Sequence, residues 1–241
     1  MRRAGIPIAV AVSGVSDSMA SLVLLTQLAE QQGWQLYAVT VDHALRPEAA
    51  AEARDVAKVC RTLGVPHETL VWAHGPVPGN LMDAARRARY GLMADWAARS
   101  GVGLIALGHT ADDQAETFLM GLARGAGLDG LTGMRPFWND GRVRFVRPFL
   151  EQRRDDLRAC LTRRGMSWAE DPGNSNDRFD RVKARKALKA LKPLGITADR
   201  LAGSMQNLQH VQRAMQHEVG RAAALICTES AGELVFDKSG W

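Results

Sequence analysis

The residues Ser13-Gly14-Val15-Ser16-Asp17-Ser18 concentrate more potential chemistry than any other short stretch of this sequence. They follow the apolar run Ile8-Ala9-Val10-Ala11-Val12 and precede a helix-forming stretch from Met19 to Gln32. A strand, a tight turn of small polar residues and a helix start together predict a phosphate site. Unpaired backbone N–H groups and the positive end of the helix dipole favour an anion there. Ser13, Ser16 and Ser18 add hydroxyl donors. Asp17 is the odd member, because a carboxylate beside phosphates is repelled unless a cation lies between them. That points to Mg²⁺ bridging Asp17 and the phosphates of a nucleotide. The Gly-Lys-Ser/Thr ending of a Walker loop is absent. The plain alternative is a strand-to-helix turn capped by Ser and Asp.

A second constellation is Gly108-His109-Thr110-Ala111-Asp112-Asp113-Gln114-Ala115-Glu116-Thr117. On a helix, Asp112 shares a face with Glu116, and Asp113 with Thr117. Acids in a first turn favour the dipole, but three acids with a His and a Gln exceed what capping needs. Such carboxylates suit an ammonium group or Mg²⁺. Weaker signals are Asp42-His43, the Arg86/Arg89/Tyr90 set at helical spacing, which suits a phosphate or a nucleic-acid backbone, and the polar turn Glu170-Asp171-Pro172-Gly173-Asn174-Ser175-Asn176-Asp177. That turn leads into Arg178, Arg181, Lys183, Arg185, Lys186, Lys189 and Lys192, opposed by Asp180 alone. The cluster reads equally as a footprint for a polyanion or as a solvated helix face.

The elements that must hold these groups alternate. Strands are expected at Ile8–Val12, Leu36–Val41, His67–Val71 and Gly103–Leu107, with helices at Met19–Gln32, Glu48–Leu63, Leu81–Arg99 and Ala111–Ala123. Alternation of this kind predicts an α/β fold with a parallel sheet and helices on both faces. Ligands of such sheets bind at the carboxyl ends of the strands, where the Ser13 loop, Asp42-His43 and His109 all fall. The glycine-rich run Gly125–Gly133 would return to the same face, and Val143–Phe145 reads as an edge strand. Beyond Glu151 the pattern is helical (Glu151–Arg164, Asp180–Leu191, Ala198–Leu225), and Glu233–Phe236 reads as a strand without a partner. Pro193 and Gly195 suggest a boundary that divides a domain of residues 1–192 from a smaller helical one of residues 193–241.

Composition narrows the class. The 241 residues are 46% hydrophobic with a formal charge of +5, enough for a sizeable core. No apolar run is long enough to span a membrane, and a core strand starts too early for a cleavable leader. Cys60, Cys160 and Cys227 are too scattered for a Cys-ligated metal or a disulfide framework. The expectation is a cytoplasmic, non-membrane protein.

The loop resembles the Ser-Gly-Gly-x-Asp-Ser signature of the PP-loop ATP pyrophosphatases, with Val15 in place of the second Gly. A β-branched residue tolerates positive φ badly, so Val15 predicts weaker nucleotide binding or a loop of slightly different shape. From Ile8 to Leu191 the ordered motifs resemble the tRNA(Ile)-lysidine synthetase family: Ser-Gly-x-Ser-Asp-Ser-Met-Ala, Val-Asp-His-x-Leu-Arg, Ala-Arg-x-x-Arg-Tyr, Gly-His-x-x-Asp-Asp-Gln-x-Glu-Thr, Leu-x-Arg-Gly-x-Gly-x-x-Gly-Leu-x-Gly-Met and Glu-Asp-Pro-x-Asn. The resemblance implies a Rossmann-like adenine nucleotide α-hydrolase fold. It implies that ATP and Mg²⁺ adenylate C2–O of the wobble cytidine in an isoleucine tRNA with anticodon CAU, after which free lysine displaces AMP. By the same resemblance, Ser13, Gly14, Val15, Ser16, Asp17 and Ser18 bind ATP and Asp17 is the metal ligand. His109 lies near the reacting centre, and Asp113 and Glu116 are lysine-side contacts. Arg86, Arg89, Arg124, Asn174, Arg181 and Arg185 are substrate contacts. Val182 stands where that family usually has Asn. A homodimer also fits the family. Two other readings are a related PP-loop enzyme, such as a cytidine thiolase, and a non-catalytic tRNA- or nucleotide-binding relative.

Overall fold

A computed structural model describes residues 6–170, 180–230 and 233–237. The chain groups into two compact units: Met1–Gln114 with Arg135–Val182, and Ala115–Met134 with Lys183–Trp241. The division differs from a single cut after residue 192, because the second unit is discontinuous and takes in the glycine-rich segment.

The first unit is a six-stranded sheet in the order β3-β2-β1-β4-β6-β5. Its strands are β1 (Pro7–Ala11), β2 (Gln35–Asp42), β3 (His67–Val71), β4 (Leu104–Ala106), β5 (Phe137–Asn139) and β6 (Arg144–Val146). All neighbours are parallel except β5, which runs antiparallel to β6 at the edge. β5 was not expected from the sequence, where three residues carry no usable periodicity. The central strand β1 is apolar throughout because both of its faces are covered. Ile8, Val10 and Val12 pack with α1 (Ser16–Gln32), α2 (Ala49–Thr62) and α6 (Arg154–Arg163), whereas Ala9 and Ala11 pack on the side of α3 (Leu81–Ser100). That alternation is the two-residue period of a strand.

The helices obey local signals. Asn80 caps α3 by accepting from the backbone N–H groups of Met82 and Asp83, and Gly101 ends it in the left-handed region at φ 67°. α1 starts at Ser16, earlier than the expected Met19, so that the second half of the phosphate loop is itself the first helical turn. α6 starts at Arg154 rather than Glu151.

Strand order reverses at β1, which lies between β2 and β4. A crevice at the carboxyl ends of β1 and β4 follows, the usual ligand position in open α/β sheets. The Ser13 loop leaves β1 there, and His109 follows β4.

The second unit is helical. α4 (Ala111–Ala123) and α7 (Asp180–Leu191) carry the chain into it, and α5 (Leu128–Leu131) and α8 (Ala198–Ile226) lie within it. Ala115, Ala198 and Leu201 form its small core with Phe118, Leu119, Leu188 and Ile196. The glycine-rich run contains the helical turn α5, which α8 holds: Gln209 donates to the Thr132 carbonyl at 2.7 Å and Gln212 to Asp129 at 2.5 Å. The Glu233–Phe236 strand (β8) does have a partner. It pairs antiparallel with β7 (Cys227–Ser230), which directly follows α8. No described helix is long and apolar enough to cross a membrane.

Candidate functional site

The positive φ that the phosphate loop requires falls on Gly14, at 86°. Val15 sits at φ −76° and ψ 159°, extended backbone that a β-branched residue adopts without strain. The expected conformational penalty at Val15 is therefore absent. The loop is braced internally. Ser18 Oγ accepts from the Ser13 amide at 3.1 Å and the Ser13 hydroxyl at 3.2 Å, and donates to the Val15 carbonyl at 2.9 Å. From outside, the Gly14 carbonyl accepts the Ala169 amide at 2.9 Å. The backbone that follows β4 approaches so closely at Gly108 that a Cβ there would lie 3.0 Å from the Asp17 carbonyl oxygen and from Ser21 Oγ.

Asp17 is buried at the start of α1, 8% exposed. Its Oδ1 accepts from Ser16 Oγ at 2.9 Å and its Oδ2 from Arg154 Nε at 2.8 Å. Arg154 Nη2 reaches Asp113 Oδ1 at 3.0 Å, so one guanidinium spans the phosphate loop and the second acidic block. Asp113 Oδ2 accepts from the Thr110 amide at 2.8 Å and the Thr110 hydroxyl at 2.9 Å. Arg181 adds a further ion pair to Asp113 at 3.5 Å. Burial alone would raise the Asp113 pKa, but Arg154, Arg181 and the Thr110 amide outweigh it and hold the carboxyl below the usual range. A carboxylate this well stabilised anchors charge and is a poor proton acceptor. Asp112 turns to Arg153, which donates at 3.2 and 3.0 Å, and to the Arg154 amide at 2.7 Å.

His109 is fixed by Arg147, whose Nε donates to Nδ1 at 3.1 Å. Arginine cannot accept, so Nδ1 is the bare nitrogen, the ring is neutral and Nε2 carries the proton. Burial is the main reason that the His109 pKa falls to about 3; Asp113 opposes this, and Arg147, Arg89 and Arg181 reinforce it. His109 thus offers a hydrogen-bond donor at neutral pH and does not serve as a base.

Arg86, Arg89 and Tyr90 do gather as their spacing on α3 predicted. Arg89 Nη2 donates to the Tyr90 hydroxyl at 3.2 Å, and the Arg86 and Arg89 guanidiniums lie 5.6 and 5.0 Å from the ring centroid. His43 comes close enough to Arg89 that burial first and that charge second lower its pKa. Asp42 serves its own turn, accepting from the Ala44 amide at 2.8 Å.

In the second unit Glu116 is 1% exposed and its carboxylate receives Arg185 Nε. Arg124 is exposed at the end of α4. Asn174 lies outside the described residues. Val182 is buried, 5% exposed, as suits an apolar residue.

The sequence reading passed over Arg147, Arg153 and Arg154. One signal was present. Arg153 and Arg154 start α6, where the helix dipole disfavours cations, and only facing acids make that placement favourable. Among the described residues no group of three or more His, Cys, Asp or Glu side chains stands ready to hold a metal. Asp17 still has a second lone pair on each oxygen, which suits Mg²⁺, since that ion takes one or two carboxylates beside phosphate oxygens and water.

A family model described as a PP-loop domain matches residues 3–191. The tRNA(Ile)-lysidine synthase of Ruegeria pomeroyi is 47% identical over 232 residues, which cover 96% of this chain and 55% of that protein. The tRNA(Ile)-lysidine synthase of Zymomonas mobilis is 40% identical over 232 residues, 95% of this chain and 69% of its own. The chain spans about half the length of the first of these relatives. Among solved structures, the U34-tRNA thiolase NcsA from Methanococcus maripaludis with its [4Fe-4S] cluster superposes with a TM-score of 0.73 at 15% identity, over 86% of this chain and 74% of that one. At that identity the likeness is one of fold.

Proposed function

The chain belongs to the PP-loop family, among the tRNA(Ile)-lysidine synthases, and from that premise we propose that it ligates lysine to C2 of the wobble cytidine in a CAU-anticodon isoleucine tRNA. The observation that carries the reading is the Arg154 bridge. It ties the phosphate loop, through Asp17, to the acidic block of α4, through Asp113, at the crevice beyond β1 and β4.

In the first half-reaction the cytidine O2 attacks the α-phosphorus of ATP, an O–P bond forms and pyrophosphate leaves. Ser13 to Ser18 and the α1 N-terminus receive the departing phosphates. Arg154 keeps Asp17 from repelling them. The Nε2–H of His109 donates to an oxygen of the adenylate. Bound Mg²⁺, held by Asp17, would neutralise charge on the phosphates. In the second half-reaction the bound lysine ammonium gives one proton to solvent, the resulting ε-amine attacks C2, the C2–O bond breaks, AMP leaves, and a second amine proton passes to solvent. Asp113 and Glu116 attract the lysine ammonium, which competes with Arg181 and Arg185 for their carboxylates. Arg86, Arg89, Arg124 and Asn174 contact the RNA. A cytoplasmic setting and a homodimer belong to the same reading.

The test is pyrophosphate release from ATP with Mg²⁺, lysine and an unmodified CAU isoleucine transcript, against a methionine tRNA with the same triplet. Release confined to the isoleucine transcript is expected. A folded protein that releases none with either transcript would overturn the reading.

A further inference from the structure

Two arginines stand one turn apart on α6, and both face the first turn of α1. Arg154 Nε reaches Asp17 Oδ2. Arg158 reaches the neighbouring residue, its Nε donating to Ser16 Oγ at 3.2 Å. Residues four apart share a helix face, so one edge of α6 meets two successive residues of the phosphate loop.

Chemistry fixes the direction of each hydrogen bond. A guanidinium has no acceptor, so Ser16 Oγ accepts from Arg158. The hydroxyl has one proton to give, and the Asp17 Oδ1 oxygen takes it at 2.9 Å. Ser16 is 3% exposed, so this hydroxyl has no bulk water as an alternative partner. The result is a relay from Arg158 through Ser16 to Asp17 that holds Oδ1 while Arg154 holds Oδ2. The Ser16 hydroxyl proton serves the carboxylate rather than a phosphate oxygen.

Arg158 is itself held. Its Nη2 donates to the two Glu170 carboxylate oxygens at 3.3 and 3.4 Å, and its guanidinium carbon lies 5.8 Å from the centre of the Trp168 ring. Trp168 Nε1 donates to the same carboxylate at 3.0 Å. Between these two residues Ala169 pairs with the loop backbone: its amide donates to the Gly14 carbonyl, and it bridges Val15 in parallel. The Arg158 and Glu170 side chains are 37% and 65% exposed, and an ion pair so open to water adds little stability. What it fixes is the direction of the guanidinium, which then presents Nε to Ser16. A lysine ammonium is a point charge on a flexible stem and does not hold both directions at once.

We infer that Arg158 is a positioning residue for Asp17: acting through Ser16, it sets the carboxylate in the orientation that takes the Mg²⁺ of a nucleotide. Each Asp17 oxygen keeps a second lone pair for the cation. The inference rests on the nucleotide-binding part of the proposed function and on neither lysine nor tRNA.

The test is calorimetric titration with ATP, with and without Mg²⁺, of this protein, Arg158→Lys, Ser16→Ala and the double variant. Neither lysine nor tRNA is present. Arg158→Lys keeps the charge and removes the fork. It is expected to bind ATP with Mg²⁺ roughly tenfold more weakly. Without Mg²⁺ it is expected to bind ATP within about twofold of the parent. In the Ser16→Ala background the same replacement should change the affinity by less than about twofold, because the relay is already cut. Where circular dichroism shows that Ser16→Ala has lost the fold, the comparison with and without Mg²⁺ decides alone. Parent-like binding of ATP with Mg²⁺ by Arg158→Lys would show that charge suffices and would overturn the inference. Equal weakening with and without Mg²⁺, or full additivity with Ser16→Ala, would overturn it as well. A parent that binds no ATP would overturn the nucleotide reading and the inference together. Failure of pyrophosphate release with the isoleucine transcript, where these titrations come out as expected, would overturn the tRNA reading alone.

Discussion

Asp17 and Asp113 share one guanidinium: Arg154 reaches the first through Nε at 2.8 Å and the second through Nη2 at 3.0 Å. The three side chains are 8 to 17% exposed, so the pairing lies in a medium where an unmatched charge is expensive. Replacing Arg154 with Met is expected to cost roughly 3 kcal/mol of stability and more than a hundredfold in adenylation. Asp113→Asn in that background should recover part of the stability, because it removes one stranded charge. Denaturant midpoints of the two single variants and the double variant check this. Additivity within about 0.5 kcal/mol would show that Arg154 and Asp113 are not coupled.

His109 gives the acid side of the stability curve a definite sign. Its folded pKa, about 3, lies below the ordinary 6.5. Between those values the unfolded chain binds the proton and the folded protein does not. Stability is therefore fully present above 6.5 and is lost as the pH falls toward 3, with a slope of up to about 1.4 kcal/mol per pH unit from this group. His109→Gln should flatten that part of the curve. An imidazole resonance of His109 that titrates near 6.5 in the folded protein would contradict the Arg147 contact.

Gly108 is required by close approach rather than by its backbone angles. A Cβ there meets the Asp17 carbonyl oxygen at 3.0 Å, and a helix carbonyl cannot move aside as a side chain can. Gly108→Ala is expected to destabilise by about 1–3 kcal/mol and to weaken ATP binding by shifting the first turn of α1. Calorimetric titration with ATP measures the second effect. An unchanged dissociation constant would mean that the segment after β4 yields instead of the loop.

Val15→Gly tests the departure from the family signature. The extended conformation at Val15 leaves no strain for glycine to relieve. The variant is expected to lose about 0.5–1 kcal/mol through greater freedom of the unfolded chain and to bind ATP within about twofold of the parent. A large gain in affinity would show that the valine side chain, not the backbone, obstructs the phosphates.

Cys60 is expected to be inert. Burial pushes its thiol up to about 11, so little thiolate exists at pH 8. Labelling of the native protein with a thiol reagent should leave Cys60 unmodified until the fold is opened by denaturant.

The fold class and the loop and acidic groups of the site were legible in the order of residues alone, whereas the arginines that meet them were not. Strand and helix periods, caps and glycine positions are local signals, and an α/β chain places its loops at strand ends whatever the side chains later do. That is why the Ser13 loop, His109 and the acids of α4 could be assigned to one end of the sheet. Pairing was not legible. Arg154 lies 137 residues from Asp17, and Arg147 lies 38 from His109. Which guanidinium meets which acid, and which meets none, depends on the packing of α6 and β6 against the sheet. The same holds for the neutral tautomer of His109, the negative φ at Val15 and the partner of β8. Each is set by neighbours distant in sequence or by backbone angles that residue type only biases. The sequence by itself determined which chemical groups reach the site; the tertiary structure decided their charge states and partners, because burial and proximity set both.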